Sequence, residues 1–180
     1  MRWREICGVA LAIFFCASAS TARAQTLYGI GRPATAAEIA GWNIDVGPDG
    51  SNLPAGSGSV SHGREVFVQQ CASCHGEKGE GGVGDRLVGG QGTIGTPKPI
   101  RTVGSYWPYA PTLFDYIRRA MPQNAPQSLS NEDVYAVSAY ILNLNGLVRD
   151  DATLDAKSLA AIKMPNRDKF VGDARPDVKR

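Results

Sequence analysis

Two cysteines and a histidine stand together in the string Cys71-Ala72-Ser73-Cys74-His75. Thiols at this spacing could close a disulfide, supply half of a metal site, or attach a haem through two thioether bonds. On one turn of helix, positions i, i+3 and i+4 share a face, so both sulfurs could anchor a porphyrin edge while the His75 imidazole binds the iron. The C-x-x-C-H order is typical of haem c, and we predict one covalent haem at Cys71, Cys74 and His75.

Two other chemistries fit this string less well. A zinc site needs four ligands, and beyond residue 24 the chain has two cysteines and two histidines, three of which lie in this one string. A thioredoxin-like dithiol would require alternating strand and helix patterns, which the sequence lacks. Only one C-x-x-C-H string occurs, so the sequence predicts a single haem.

Few side chains could bind the iron on the face opposite His75. Met121 stands 46 residues after His75, between two predicted helices. Met164 lies in the charged C-terminal segment, and His62 lies near the start of the helix that leads into the C-x-x-C-H string. That helix would have to fold back on itself to bring His62 to the other face. We therefore predict Met121 as the distal ligand and keep Met164 and His62 as weaker alternatives.

The first 24 residues have the features of a secretory signal peptide. Arg2 and Arg4 precede an apolar run at 6–19, and residues 22–24 form an A-x-A cleavage site. The apolar run is shorter than the roughly 18 residues that a membrane span needs. We therefore expect a periplasmic protein without a membrane span.

Removing this segment changes the charge balance. It carries three basic residues and one acidic residue. The 180-residue chain has 19 basic and 17 acidic residues, so 16 of each remain after residue 24. The remaining chain is formally neutral, which argues against nucleic-acid binding. Its length suits one ordinary domain.

The elements that must position the haem ligands are mostly helical, and they divide the rest of the chain into three zones. Residues 25–60 form an irregular arm, whose one short helix is opened by a capping box of Thr35 and Glu38. Residues 61–147 form the haem domain. Residues 148–180 form a charged extension with one short helix.

Three helices are predicted in the haem domain. The first covers about 62–70, is capped by Ser61, and carries Gly63, where a second helix could cross closely. The second begins at Pro111 and ends just before the predicted distal ligand. The third is capped by Ser130, and its apolar side chains recur at helical spacing: Val134, Val137, Ile141 and Leu144.

Longer strings resemble a known family. A helix leading into CASCHG, followed by a methionine before a final tyrosine-rich helix, is similar to the order in class I cytochromes c. The resemblance is more specific to the cytochrome subunit of periplasmic sulfite or sulfane dehydrogenases of the Sox type. It covers residues 29–170, and it is carried by GRPATAAEIAGWNIDVGPDGSNLPAGSGSV, GGQGT, TVGSYWPYAPTLFDYIRRAMP and LSNEDVYAVSAYILNLN.

The resemblance implies an all-α class I cytochrome c fold around one covalently attached haem. It implies thioether bonds at Cys71 and Cys74, with His75 as the proximal and Met121 as the distal iron ligand. It also implies an electron-transfer subunit that is not itself an enzyme. Such a subunit accepts electrons from a molybdenum-cofactor dehydrogenase subunit and passes them to a downstream carrier such as another cytochrome c. The alternative is a haem enzyme or small-ligand sensor, which requires a labile sixth iron position.

Several features leave alternatives open. The stretch 83–90 contains no proline whose carbonyl could orient the His75 ring, so the sequence predicts no particular acceptor for the ring N–H. Arg118 and Arg119 could meet haem propionates or simply be solvated. Three aromatic residues could line the haem edge or pack in the core: Tyr106, Trp107 and Tyr109. The arm and the extension could contact a partner subunit or form a flexible margin.

Overall fold

The computed structural model describes residues 30–172, so the predicted signal peptide lies outside the described residues. The chain divides into two units, with the boundary between Ile39 and Ala40. No helix in residues 30–172 is long and apolar enough to cross a membrane. Within the same residues the helices are α1 (Ala36–Trp42), α2 (Val60–Gln70), α3 (Ala72–His75), α4 (Ala110–Ala120), α5 (Asn131–Leu144) and α6 (Ala156–Ala160), and the strands are β1 (Ser57–Ser59) and β2 (Thr153–Asp155).

Helices α2 and α5 form the centre of the larger unit, and they cross closely because a glycine stands at the crossing. A Cβ on Gly63 would overlap the backbone carbonyl of Ala136. Beside the crossing, the buried Phe67 ring meets the Tyr140 ring edge-on, with 5.3 Å between the centroids. The predicted close crossing at Gly63 is therefore confirmed, and it places the start of the C-x-x-C-H string at one end of the central helix pair.

The helix caps agree with the sequence patterns at α5 and differ at α2. The Ser130 side chain accepts a hydrogen bond from the backbone N–H of Asp133 at 3.1 Å, as predicted. Helix α2 is capped by Ser59, which accepts from the N–H of His62 at 3.1 Å. The prediction of Ser61 as the cap is wrong, because β1 ends at Ser59 and the helix begins directly after it.

The short antiparallel pair β1–β2 is a departure from the all-α prediction. Ser57 lies opposite Asp155, and Ser59 lies opposite Thr153. A strand with the sequence Ser-Gly-Ser has little β propensity of its own, so the sequence carries no signal for it. Gly58, between the two serines, packs against the backbone of Ala136, where a Cβ would overlap. Tertiary packing therefore creates this strand, and the fold is mostly helical.

The buried core extends beyond the zone 61–147 on both sides. Val46 from the arm is buried, as are Leu154, Leu159 and Met164 from the extension. The Tyr135 hydroxyl donates a hydrogen bond to the carbonyl of Pro54 at 2.8 Å. Residues 44–60 and 152–166 thus belong to the same packed unit as the predicted haem domain.

Helix α1 differs from these segments because it buries none of its residues. Its N terminus has the predicted capping box. The N–H of Thr35 donates to a Glu38 carboxylate oxygen at 2.8 Å, and the N–H of Glu38 donates to Thr35 Oγ1 at 3.3 Å. Hydrogen bonds from the Arg32 guanidinium and from Thr35 lower the pKa of Glu38 to about 2.

Candidate haem-binding site

The C-x-x-C-H string forms a tight helical turn at the end of α2. Cys71 ends α2 and begins α3, with a φ of −121° and a ψ of −36°. Its carbonyl accepts hydrogen bonds from the N–H of Cys74 at 3.1 Å and of His75 at 3.0 Å. Neither cysteine forms a disulfide. The turn therefore holds two free thiols and one imidazole within five residues of one another.

The two thiols have different surroundings. Cys71 packs against the hydrophobic core, and this burial, with a smaller contribution from Cys74, raises the pKa of the Cys71 thiol to about 11. Cys74 is exposed. One sulfur is thus fixed against the protein interior in its neutral form, and the other faces outward.

The His75 ring is oriented by a backbone carbonyl. Its Nδ1 lies 2.7 Å from the carbonyl oxygen of Asp85. A carbonyl can only accept, so Nδ1 carries the proton and the lone pair of Nε2 is free for a metal. Sequence reasoning missed this contact, because any residue can supply a backbone carbonyl and the expected proline signal is absent from 83–90. Asp85 is therefore a functional residue of the site through its main chain.

Glycines let the following loop fold against the C-x-x-C-H turn. A Cβ on Gly84 would lie 2.9 Å from Cε1 and 3.0 Å from Nδ1 of His75. A Cβ on Gly82 would lie 2.7 Å from the carbonyl oxygen of Cys74, which also accepts a hydrogen bond from the N–H of Gly84 at 2.9 Å. Gly76 ends α3 with a φ of +82°, a conformation that L-residues with a side chain rarely adopt. The loop is therefore built to approach the histidine ring.

The three candidates for the distal ligand have different environments. Met121 is the C-cap of α4, where its N–H donates to the carbonyl of Ile117 at 2.9 Å and its side chain is half-buried. Met164 is only 2% exposed within the hydrophobic core. His62 directs Nε2 toward a carboxylate oxygen of Asp133 at 2.8 Å. Met164 is thus enclosed by the core and His62 is paired with Asp133, whereas Met121 packs against the core and retains partial exposure at a helix end.

Two comparisons relate this chain to known proteins. The family model for cytochrome c oxidase, cbb3-type, subunit III matches residues 58–141. The solved structure of the sulfane dehydrogenase SoxCD from Paracoccus pantotrophus is 43% identical, with a TM-score of 0.77, and the match covers 83% of this chain and 74% of that chain. The chain belongs to the Sox-type cytochromes c. The resemblance inferred from the sequence strings is therefore confirmed.

A third comparison matches a shorter region of the chain. A thiosulfate dehydrogenase from Stutzerimonas stutzeri (strain A1501) is 31% identical over 91 residues, which are 49% of this chain and 28% of the relative. This Sox-type cytochrome c therefore spans less than a third of that relative's length.

Sox-type cytochromes c are electron-transfer subunits, and membership implies haem c as the cofactor. The residues present fit this group. Two free thiols and a histidine with an available Nε2 lie on one turn, beside Gly84, where a Cβ would crowd the histidine ring. In residues 30–172 no group of three His, Cys, Asp or Glu side chains is placed to hold a bare metal ion.

The aromatic residues near α4 contact other protein groups in this Sox-type cytochrome c, and each remains half-buried. The ring centroids of Tyr106 and Phe170 are 5.5 Å apart, and those of Trp107 and Tyr116 are 5.8 Å apart. The guanidinium carbon of Arg167 lies 5.2 Å from the centroid of the Tyr109 ring. They account for part of each ring's surface as ordinary packing.

The two arginines near the end of α4 also have protein partners. Arg118 donates to the carbonyl of Ile44 at 3.1 Å, and Arg119 forms a two-pronged ion pair with Asp115. Asp115 accepts a further hydrogen bond from the N–H of Val46 at 2.8 Å. These contacts attach α4, and with it Met121, to the arm segment 44–46.

Proposed function

We propose that this chain is a periplasmic monohaem c-type cytochrome that carries electrons away from a molybdenum-cofactor sulfite or sulfane dehydrogenase subunit. It accepts them one at a time and passes them to a downstream carrier such as another cytochrome c. The observation that carries the proposal is the single turn that presents Cys71, Cys74 and His75 in a chain 43% identical to a sulfane dehydrogenase structure.

Each residue of the turn has one task in this proposal. When bound, haem c supplies a one-electron Fe(III)/Fe(II) couple. Cys71 and Cys74 hold the macrocycle covalently through thioether bonds, and Nε2 of His75 binds the iron on the proximal face. The Asp85 carbonyl holds the His75 ring through the Nδ1 hydrogen bond of 2.7 Å and increases the basicity of the ligating nitrogen.

We assign Met121 to the distal face. Its half-buried position at the C-cap of α4 supports this, as does the burial of Met164 in the core and the pairing of His62 with Asp133. If both His75 and Met121 bind the iron, haem c would have no position left for a substrate or small ligand. This arrangement suits an electron carrier better than a haem enzyme or small-ligand sensor.

The electron count requires a partner. Oxidation of sulfite or of sulfane sulfur removes electrons in pairs, whereas one haem accepts one electron at a time. The oxidising centre must therefore lie on another chain that releases electrons singly, as a molybdenum centre does through Mo(V). The sulfane dehydrogenase match supports a partner of this chemistry.

We assign the partner contact to the part of the arm before residue 43. Residues 44–60 pack within this chain, because Val46 is buried in the core and the carbonyl of Pro54 accepts a hydrogen bond from Tyr135. Helix α1 instead leaves Ile39 55% and Trp42 88% exposed. Large apolar side chains on a helix that buries nothing are typical of an interaction surface.

The test mixes the haem-loaded oxidised chain with its molybdenum subunit and follows haem reduction by stopped-flow absorption. Sulfite and a protein-bound sulfane are added in separate experiments. We expect rapid reduction with one of them, and none when either the molybdenum subunit or the substrate is omitted. The Ile39→Ser/Trp42→Ser double variant should slow the reduction and leave the haem spectrum unchanged. Substrate oxidation by the cytochrome alone would contradict the proposal.

A further inference from the structure

A buried polar network at the end of α5 fixes the loop that follows Asp85. Asn145, the C-cap of α5, is only 8% exposed. Its side-chain NH₂ group donates to the carbonyls of Leu87 at 3.2 Å and Ile141 at 2.9 Å. Its side-chain oxygen accepts from the N–H of Gly89 at 3.2 Å. One asparagine thus ties two backbone groups of the loop to the central helix.

Gly89 is also held through its carbonyl group. Thr102 Oγ1 donates to the carbonyl of Gly89 at 2.5 Å, and the N–H of Thr102 donates to Ser105 Oγ at 2.9 Å. Both Thr102 and Ser105 are buried. Gly104 leaves room for the network, since a Cβ there would overlap the Asn145 side chain. The N–H and the C=O of Gly89 are therefore each fixed by a buried side chain.

We propose that Asn145 is a positioning residue for His75. Leu87 is two residues from Asp85, so a displaced Leu87 carbonyl moves the Asp85 carbonyl that orients the histidine ring. Backbone hydrogen bonds join the N–H groups of Leu87 and Val88 to the carbonyl of Gly79, within the loop itself. Asn145 supplies the anchor to α5 that these local bonds lack. The inference rests on the proposed role of His75 as proximal ligand.

The consequence is electronic as well as geometric. A well-placed acceptor on the Nδ1 proton makes the ligating nitrogen more basic and favours Fe(III). Loss of the Asn145 anchor lengthens or breaks the bond from His75 to the Asp85 carbonyl, now 2.7 Å. The reduction potential should then rise, and the Nδ1 proton should become accessible to solvent. A residue that only caps a helix would change neither quantity.

The experiment compares two buried asparagines in the full haem-loaded chain. Asn145→Leu removes the anchor and keeps the branched shape of the side chain. Asn166→Leu is the matched control, because Asn166 is 4% exposed and donates to the carbonyl of Tyr106 at 2.7 Å rather than to residues 87–89. The readouts are the midpoint potential and the solvent exchange rate of the His75 Nδ1 proton, measured by NMR in the ferrous protein.

We expect Asn145→Leu to shift the potential to a more positive value and to speed proton exchange about tenfold, as for the loss of one hydrogen bond. Asn166→Leu should lower the melting temperature and change neither readout. Thr102→Val removes only the hydroxyl on the other side of Gly89, and it should cause a smaller shift in the same direction. This variant serves if Asn145→Leu does not fold.

The outcomes separate this inference from the proposed function. If the potential and the exchange rate match those of the unaltered protein in whichever of the Asn145 and Thr102 variants folds, Asn145 is only a helix cap and the inference is wrong. If the unaltered protein carries no covalent haem at Cys71 and Cys74, the proposed function itself fails.

Discussion

The two faces of the proposed haem site are organised in different ways. On the proximal face, His75 is fixed by contacts close in sequence, since its Nδ1 bonds to Asp85 and its carbonyl accepts from the N–H of Gly81 at 2.8 Å. On the distal face, Met121 has one local backbone bond, to Ile117. Bonds within its own loop orient the proximal ligand, and Asn145 anchors that loop to α5, whereas the distal ligand depends on where the whole of α4 lies.

The position of α4 is set by residues about seventy positions away. Asp115 accepts from the N–H of Val46, and Arg118 donates to the carbonyl of Ile44. The arm therefore helps to position the distal face through α4, although it lies far from Met121 in sequence. The comparison teaches that the bonds to His75 are local and have one tertiary anchor at Asn145, whereas the position of Met121 depends on the tertiary contacts of α4. Substitutions should separate the two.

The largest expected effect removes the covalent link on the proximal face. In the Cys71→Ala/Cys74→Ala double variant no cysteine remains beyond residue 24 to form a thioether bond. We expect near-complete loss of haem from the polypeptide after acid-acetone extraction, whereas the unaltered protein should retain it. Retention of haem by the double variant would show that the cysteines do not attach it.

The next effect tests the distal face. Oxidised protein should show the weak near-infrared band of sulfur-to-Fe(III) charge transfer, and Met121→Ala should abolish it because the thioether ligand is gone. Met164→Ala is the matched control, since Met164 is 2% exposed in the core. It should keep the band and lower the free energy of unfolding by about 2–5 kcal/mol. If Met164→Ala abolishes the band instead, the distal assignment is wrong.

The same division explains what the sequence could predict. The C-x-x-C-H turn, the Ser130 cap and the close crossing at Gly63 depend on residues near one another in sequence or on the size of one side chain. The Asp85 acceptor was not predictable, because a backbone carbonyl leaves no residue-type signal. The β1–β2 pair and the burial of Val46 were missed because tertiary contacts, not local propensity, create them.

A smaller effect concerns the approach of the loop to His75. Gly84→Ala adds a Cβ 2.9 Å from the ring, so the ring or the loop must shift. We expect less haem incorporation and a changed midpoint potential, measured on purified protein. Gly95→Ala is the control, because nothing lies within 4 Å of the added Cβ and its backbone does not need a glycine. Equal potentials in the two variants would contradict the close fit.

The smallest effect is expected from Asp115→Asn, which weakens the contacts that hold α4 to the arm. Burial pushes the pKa of Asp115 upward, but hydrogen bonds from Arg119 and from the N–H of Val46 outweigh it, so the pKa is lowered. The ionised carboxylate therefore stabilises the fold above the ordinary value of 3.8, and that stabilisation is lost as the pH falls through the lowered pKa. Asp115→Asn should reduce the free energy of unfolding by about 1.5–3 kcal/mol near neutral pH.

The pH dependence distinguishes this role from a general loss of packing. Urea titrations at decreasing pH should show the difference between the unaltered protein and Asp115→Asn narrowing below pH 3.8, as the native carboxyl becomes protonated and matches the amide. Asp151→Asn is the control, because Asp151 and its partner Arg149 are 70% and 86% exposed and their ion pair should contribute little. The near-infrared band of Asp115→Asn should weaken while the His75 Nδ1 proton exchanges as before, since only the distal face has lost its support. A variant that changes the proximal proton and leaves the band intact would reverse the assignment of the two faces.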